Sequence, residues 1–162
     1  MAQALAPVAR GEVVAVNKQQ DYVSFIVGGQ MFGIPVLKVQ DILKPAKIAT
    51  IPLAPAEVKG SINLRGRIVT VIDVRTRLGI KPRDDGKHDD NMAVTVESGQ
   101  DLYTLLVDQI GDVVSLSDDL YESNPSTLDA RWREFSEGVY RLKDRLLVVL
   151  DVERMLDIKS KI

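Results

Sequence analysis

The sequence predicts an all-β protein with a few short helices, built from two copies of one small β-barrel unit. Short runs of β-branched and aromatic residues alternate with glycine-containing turns along most of the 162 residues, which is the pattern of β-hairpins. The second half of the chain also repeats the first, and a repeat of this length indicates one structural unit used twice. About five short strands per copy are enough to close a small barrel, which leaves no exposed sheet edge.

The chain divides into an arm and one domain with two halves. Residues 1–20 are rich in Ala, Gln and Val with little amphipathic order, so we expect a flexible N-terminal arm. A single domain is predicted over residues 21–158. Within it, subdomain 1 covers about 21–80 and subdomain 2 about 92–158, and the polar, turn-rich linker 81–91 joins them.

The first half is predicted to open with a β-hairpin. Tyr22–Val27 is a β-branched and aromatic run, Gly28 and Gly29 form the turn, and Met31–Ile34 resumes the extended pattern. A helix of one or two turns is expected next, because three apolar residues follow at helical spacing before Pro45 ends it. These residues are Val36, Val39 and Leu43.

A second hairpin is predicted further along the first half. Gly60–Gly66 reads as a strand leading into a tight turn, and Arg67–Ile72 reads as the returning strand. Asp73 then suits the N-cap of a short helix, since its side chain can accept a hydrogen bond from the first turn. We expect Val74 and Leu78 of that helix to face inward.

The second half repeats the hairpin pattern and adds a helix. Met92–Val96 and Leu102–Val107 are predicted to pair across a turn at Gly99. Residues Ser126–Phe135 are predicted to form a helix whose first residue is the N-cap, with an approximate capping box. Strands are expected again after this helix.

The two halves align over most of their length. Residues 60–80 match residues 138–158 at a shift of 78, and the segment before each match aligns at a shift of 71. The identical pairs in the longer match are Gly60/Gly138, Leu64/Leu142, Arg67/Arg145, Val71/Val149, Asp73/Asp151, Val74/Val152, Leu78/Leu156 and Ile80/Ile158. The shorter match pairs Ile34 with Leu105, Val36 with Val107, Val39 with Ile110, Asp41 with Asp112 and Ile42 with Val113. The seven-residue difference falls at the predicted Ser126–Phe135 helix.

Catalytic, metal and cofactor sites are not expected. The chain has no cysteine and one histidine, His88, which lies in the polar linker between Lys87 and Asp89, so a solvated loop residue is favoured over a general base. The acidic pairs lack the Asp/Asn alternation and trailing Glu of a calcium loop. The glycine-containing segments lack the ending of a phosphate-binding loop. We therefore predict a non-enzymatic protein.

Charge and hydropathy indicate a cytoplasmic protein that binds neither nucleic acid nor a membrane directly. Twenty-one basic and 23 acidic residues give a net charge of −2, and no dense basic stripe is present. The absence of cysteine suits a reducing compartment. Met1–Arg10 does not have the pattern of a signal peptide. The apolar run Leu146–Leu150 is far shorter than the ~20 residues of a membrane span.

Arg65 stands out in the Asn63–Gly66 turn. Backbone geometry explains Asn and Gly in a hairpin turn, but the turn does not require an arginine, whose planar fork suits a carboxylate or carbonyl groups of a partner. The repeat offers Asp41 as a mate, with Asp112 and Lys143 at the matching positions of the second copy. Two interpretations stay open: a partner-binding residue, or a surface salt bridge contributing ~0–1 kcal/mol.

Several stretches of the sequence closely resemble the CheW-type chemotaxis coupling proteins. The residues that carry the resemblance are Phe32–Ile42, Lys59–Gly60 with Asn63–Gly66, Val71–Arg75, Leu106–Asp108 through Asp112–Val114, and Leu147–Val152. They cover about residues 21–158 in the same order as in that family. The resemblance implies a fold of two five-stranded, SH3-like barrels.

The resemblance also implies a function. CheW-type proteins connect the CheA histidine kinase, through its regulatory domain, to the cytoplasmic tips of transmembrane chemoreceptors. The expectation is therefore a cytoplasmic adaptor without cofactors, recruited to membrane-associated receptor arrays and monomeric when free. An adaptor of another chemosensory system, such as pilus-based motility, is the alternative. A nucleic-acid-binding barrel is disfavoured by the acidic balance.

Carried over residue by residue, the resemblance implies a partner-binding set on the strands and turn described above. The set comprises Val39, Asp41, Ile42, Gly60, Asn63, Arg65, Gly66 and Val107. Its apolar members would line a groove for a receptor helix. Asp41 stands where the family commonly has Glu, and the shorter side chain is expected to weaken a direct pair with Arg65.

Overall fold

Eleven strands form two β-sheets in the computed structural model of the protein, which describes residues 19–45, 47–83 and 90–158. In order across the first sheet, the strands are β8 (Gln109–Ser117), β1 (Gln19–Val27), β2 (Gln30–Pro35), β11 (Leu146–Leu150), β10 (Ser136–Arg141) and β9 (Tyr121–Glu122). The second sheet has the order β3 (Val39–Leu43), β6 (Met92–Ser98), β7 (Asp101–Val107), β5 (Arg67–Asp73) and β4 (Val58–Leu64).

The helices are short and lie between or after the strands. They are α1 (Val74–Arg77), α2 (Ala130–Arg133) and α3 (Val152–Leu156), together with the 3-10 helices Val36–Lys38 and Asp118–Leu120. The predicted all-β class with a few short helices is confirmed. No helix in the described ranges is long and apolar enough to cross a membrane.

Each sheet closes on itself through a bent strand. In the first sheet, β8 continues through the 3-10 helix Asp118–Leu120 into β9, which pairs with β10 at the far end of the sheet. In the second, the segment after β3 returns to β4, where Ala49 and Ser61 exchange two backbone hydrogen bonds of 2.8 Å. This closure is consistent with two SH3-like barrels, because β8 and β9 act as one strand. We call the first sheet barrel 1 and the second barrel 2.

Two glycines of the repeat make this closure possible. A Cβ atom at Gly60 would lie 2.2 Å from the carbonyl oxygen of Ala49, and a Cβ atom at Gly138 would lie 2.2 Å from the hydroxyl oxygen of Tyr121. Both glycines follow a β-bulge at the matching place in the two copies. The pair Gly60/Gly138 in the sequence alignment therefore marks the point where each barrel's returning segment crosses closely.

The strands are divided between the barrels differently from the predicted subdomains 21–80 and 92–158. Barrel 2 is one continuous stretch, residues 39–107, inserted between β2 and β8 of barrel 1. The third strand of each copy pairs with the other copy, β3 with β6 and β8 with β1. Similarity between two halves identifies equivalent strands but not their pairing partners, so the two barrels do not coincide with the two halves of the repeat. Residues 84–89 of the predicted linker, with His88, and the N-terminal arm up to residue 18 lie outside the described residues.

The predicted helices were partly correct. The α1 helix begins after Asp73, whose Oδ1 accepts from the Arg75 amide at 3.1 Å, as expected. The helix predicted from Val36 to Leu43 was wrong, because only Val36–Lys38 is helical and the rest is β3. Its residues also fit the two-residue alternation of a strand, and pairing with β6 decided the outcome.

The Ser126–Phe135 helix is also shorter than predicted. Only α2 is helical, and Asp129 rather than Ser126 is its N-cap: the Asp129 Oδ1 accepts from the Arg131 amide at 2.9 Å. The single tryptophan, Trp132, packs edge-on against Phe32 with 5.5 Å between ring centroids. Its indole N–H donates to the Leu78 carbonyl at 3.1 Å. The insertion in the second copy therefore packs against elements of both barrels.

The largest hydrophobic cluster lies between the barrels. It contains Phe25, Phe32 and Leu150 of barrel 1 with Val94 and Leu105 of barrel 2. Two smaller clusters belong to one barrel each: Tyr22, Leu116, Tyr140, Leu147 and Val149 in barrel 1, and Ile62, Val69, Val71 and Leu106 in barrel 2. Strand β11 illustrates the arrangement, because its alternate residues enter the barrel 1 cluster and the shared cluster.

Candidate partner-binding site

The turn between β4 and β5 has the geometry of a type I′ hairpin. Arg65 and Gly66 both have positive φ, at 52° and 87°, and this turn favours Asn or Gly at both positions. Asn63 supports the turn, since its Oδ1 accepts from the Gly66 amide at 2.9 Å. Arginine in the left-handed region costs roughly 1 kcal/mol, so Arg65 is not explained by the backbone.

Arg65 forms a direct ion pair with Asp41 on β3, the strand at the opposite end of the sheet order from β4, which the closure of barrel 2 brings near this turn. The Arg65 Nη2 lies 2.9 Å from Asp41 Oδ2, while Asp41 Oδ1 accepts from the Ile42 amide at 2.9 Å. The shorter acid, expected to weaken the contact, still reaches the guanidinium. The Arg65 side chain remains 77% exposed. An exposed pair of this kind contributes ~0–1 kcal/mol, so its effect on folding is small.

Exposed apolar side chains lie beside this ion pair. Ile42 directly follows Asp41, and Ile68 pairs with Asn63 across the hairpin and is 73% exposed. An arginine on a surface that also exposes apolar side chains suits a protein–protein contact, since arginine is enriched at such interfaces. We call Asp41, Ile42, Asn63, Arg65 and Ile68 the barrel 2 face.

Three members of the predicted partner-binding set are buried or half-buried and do not contribute an exposed side chain to the barrel 2 face. Val107 is almost completely buried in the shared cluster, and Val39 is half-buried against it. Gly60 is buried at the barrel closure. The remaining predicted residues, Asp41, Ile42, Asn63, Arg65 and Gly66, are brought together.

The repeat points to an exposed surface on barrel 1 that the sequence analysis missed. Val113 on β8 aligns with Ile42 at the shift of 71 and is also exposed. Leu120 and Tyr121, at the bend between β8 and β9, are exposed as well. The alignment Ile42/Val113 was the available signal. We call these exposed positions along β8 and its bend, Val113, Leu120 and Tyr121, the barrel 1 face.

The ion pair itself is not repeated on barrel 1. Lys143 aligns with Arg65 and Asp112 with Asp41, but no ion pair joins Lys143 to Asp112 within the described ranges; Lys143 is exposed in the β10–β11 turn. The same ranges contain no group of three or more His, Cys, Asp or Glu side chains that could hold a metal ion. The arrangement at both faces suits binding of another protein.

Comparison with known proteins identifies the family. A profile described as "CheW-like domain" matches residues 21–160. The chain is 32% identical over 138 residues to the chemotaxis protein CheW of Klebsiella aerogenes, covering 85% of this chain and 81% of that protein. It is 26% identical over 136 residues to a probable chemotaxis protein CheW of Rhizobium etli, covering 84% and 86%.

A solved structure agrees with this result. The scaffolding protein TtCheW from Thermoanaerobacter tengcongensis superimposes with a TM-score of 0.78 at 28% sequence identity, covering 89% of this chain and 97% of that one. The profile match extends over most of the chain and both barrels. The protein therefore belongs to the CheW-like domain family of chemotaxis scaffold proteins.

Proposed function

We propose that this protein is a non-enzymatic cytoplasmic adaptor that connects the regulatory domain of a CheA histidine kinase to the cytoplasmic tips of chemoreceptors, within membrane-associated arrays. Family membership supports the role of a scaffold. The observation that carries the proposal furthest is Arg65, an exposed arginine held in a strained turn beside Asp41. Strain that stabilises nothing locally is a mark of a functional residue.

The proposed mechanism is binding at two separate surfaces. The barrel 2 face combines the Asp41–Arg65 pair with exposed isoleucines, and the barrel 1 face exposes Val113, Leu120 and Tyr121. The two barrels share one hydrophobic cluster, so a partner on one face is held in a defined orientation to a partner on the other. No bond is made or broken, and the signal is a change in relative geometry.

A reconstituted signalling assay tests this proposal. Kinase, receptor-containing membranes and this protein are mixed, and receptor-dependent kinase autophosphorylation is measured. We expect activity that requires the wild-type protein and is lost with Arg65→Glu, which places a second negative charge beside Asp41. Lys143→Glu is the matched control, because it makes the same charge change at the aligned turn position. Equal activity with wild type and Arg65→Glu would contradict the role assigned to Arg65.

A further inference from the structure

The chain crosses between the two barrels twice, at equivalent places in the repeat. The first crossing is the 3-10 helix Val36–Lys38 between β2 and β3, and the second is Asp108 between β7 and β8. Leu37 and Asp108 align at the shift of 71, and each crossing forms an ion pair with a short helix. Lys38 pairs with Glu153 of α3, and Asp108 pairs with Arg75 of α1.

The ion pair at the Asp108 crossing is buried and has several hydrogen bonds. Arg75 donates through Nε to Asp108 Oδ1 at 2.9 Å and through Nη2 to Asp108 Oδ2 at 2.6 Å. Only 18% of the Arg75 side chain and 9% of the Asp108 side chain are exposed. The Asp108 Oδ2 also accepts from the Gly28 amide at 2.9 Å, in the β1–β2 turn of barrel 1. The pair therefore joins α1, which follows β5 of barrel 2, to barrel 1.

A second arginine of α1 adds further contacts across the junction, to the C-terminal end of α3. Arg77 donates to the carbonyl oxygens of Met155, Arg154 and Asp157 at the end of α3, each at 2.9 Å. Its guanidinium lies 4.5 Å from the centroid of the Phe135 ring. Since α3 follows β11 of barrel 1, both arginines of α1 attach barrel 2 to barrel 1.

The ion pair at the Lys38 crossing is weaker. The Lys38 Nζ lies 3.6 Å from Glu153 Oε2, and the two side chains are 41% and 59% exposed. The other oxygen of Glu153 accepts from the Ser98 hydroxyl at 2.6 Å, across the barrels. Solvent and salt screen exposed pairs such as this one, whereas a buried bidentate pair keeps its geometry.

We propose that the junction between the barrels is fixed on the side of the Arg75–Asp108 pair and can open on the side of the Lys38–Glu153 pair. Arg75 and Asp108 are positioning residues that act as the pivot, and relative motion of the barrels opens the Lys38–Glu153 side. The shared apolar cluster holds the barrels together and limits their relative motion, and the directional polar contacts at the two crossings decide which side opens within that limit. The junction itself does not depend on the proposed function. Only one consequence rests on it, namely that a change in the angle between the barrels transmits the signal from one partner to the other.

The lack of cysteine allows a direct test with spin labels. Cysteines that carry the labels replace Gln100 in the β6–β7 turn of barrel 2 and Asp144 in the β10–β11 turn of barrel 1, both of which are exposed. Double electron–electron resonance then measures the distribution of distances between the two labels. Arg75→Met with Asp108→Asn removes both charges without leaving one buried alone, and the asparagine oxygen can still accept from Gly28. We expect a shifted or clearly broadened distribution in this double variant. Lys38→Gln, or high salt with the wild type, is expected to broaden it only slightly.

Matched controls separate the junction from general destabilisation. Arg141→Gln removes a two-bond arginine–carboxylate pair with Glu122 that lies within barrel 1, and its distribution is expected to equal that of the wild type. If the double variant does not unfold cooperatively, Arg75→Lys, which keeps the charge and loses the fork, takes its place. The proposal is overturned if the variant of the Arg75–Asp108 pair gives the wild-type distance distribution, or if Lys38→Gln broadens the distribution more than that variant does. These distances need no partner, so their outcome is independent of whether the kinase binds.

Discussion

Gly60 occupies the position where barrel 2 closes, and its role is best judged by substitution. Gly60→Ala is expected to lower the free energy of unfolding by more than ~2 kcal/mol, because the new Cβ would lie 2.2 Å from the Ala49 carbonyl oxygen, which accepts a hydrogen bond from Ser61 across the closure. Urea denaturation measures this loss. Gly99→Ala is the control: its Cβ would meet no atom within 4 Å, so only the strain of its φ of 63°, about 1 kcal/mol, is expected. Equal losses would show that the closure does not constrain Gly60.

Asp108 makes stability depend on pH in the acid range. Burial would raise the pKa of its carboxyl, but hydrogen bonds from Arg75 and Gly28 outweigh burial and lower the pKa. A carboxyl with a lowered pKa stabilises the fold above its unfolded pKa of about 3.9, and this contribution is lost as the pH falls through the folded value. Asp108→Asn is therefore expected to flatten the fall in unfolding free energy below about pH 4. An unchanged slope in urea titrations across this range would contradict the assignment.

The strands of the two copies separate core positions from surface positions. Val107 ends β7 inside the shared cluster, whereas Val113 on β8 is exposed. Val107→Ala should cost about 2 kcal/mol or more, through lost burial and a residual cavity. Val113→Ala should change the free energy of unfolding by less than about 0.5 kcal/mol, and should weaken binding of a partner if the barrel 1 face is used. Thermal melts and partner titrations of both variants test this. A Val107→Ala protein as stable as the wild type would contradict the placement of Val107 in the shared cluster.

Local elements with a distinct chemical signal were predictable from the sequence. The glycines at 28–29 and 66 marked two hairpins, and Asp73 marked the start of α1. The residues of β3 fitted both helical and extended spacing, and only pairing with β6 distinguishes them. The exchange of third strands between the copies, which makes barrel 2 an insertion, depends on contacts far apart in sequence. Those contacts leave no periodic pattern.

The same sequence reasoning found most of the barrel 2 face and missed Ile68. The Asn63–Gly66 turn and Asp41 were identifiable because an arginine in a turn needs a reason beyond backbone geometry. Ile68 was read as one of several apolar residues in a strand. Ile68 lies on the same side of β5 as Ile72, which is in the shared cluster, but it is at the turn end of the strand, where it stays 73% exposed.

The connectivity of the whole molecule predicts one unfolding transition. Barrel 2 is inserted into barrel 1, and the largest hydrophobic cluster contains residues of both, so neither barrel can unfold without exposing the other's core. Trp132 reports on the junction because it packs on Phe32 and bonds to Leu78. We expect its fluorescence and the far-ultraviolet circular dichroism to change at the same urea concentration. Two separated transitions would show that the barrels unfold independently.

We propose that the Asp41–Arg65 pair on the barrel 2 face also contributes to kinase binding, and that folding does not depend on this face. Calorimetric titration with the regulatory domain of its CheA kinase, comparing wild type, Arg65→Glu and Lys143→Glu, tests it most directly. Arg65 is the better probe than Gly60, whose substitution would disturb the closure. We expect binding by the wild type and Lys143→Glu, and its loss in an Arg65→Glu protein that still melts cooperatively. A well-folded wild type that does not bind at roughly tens of micromolar would contradict this proposal.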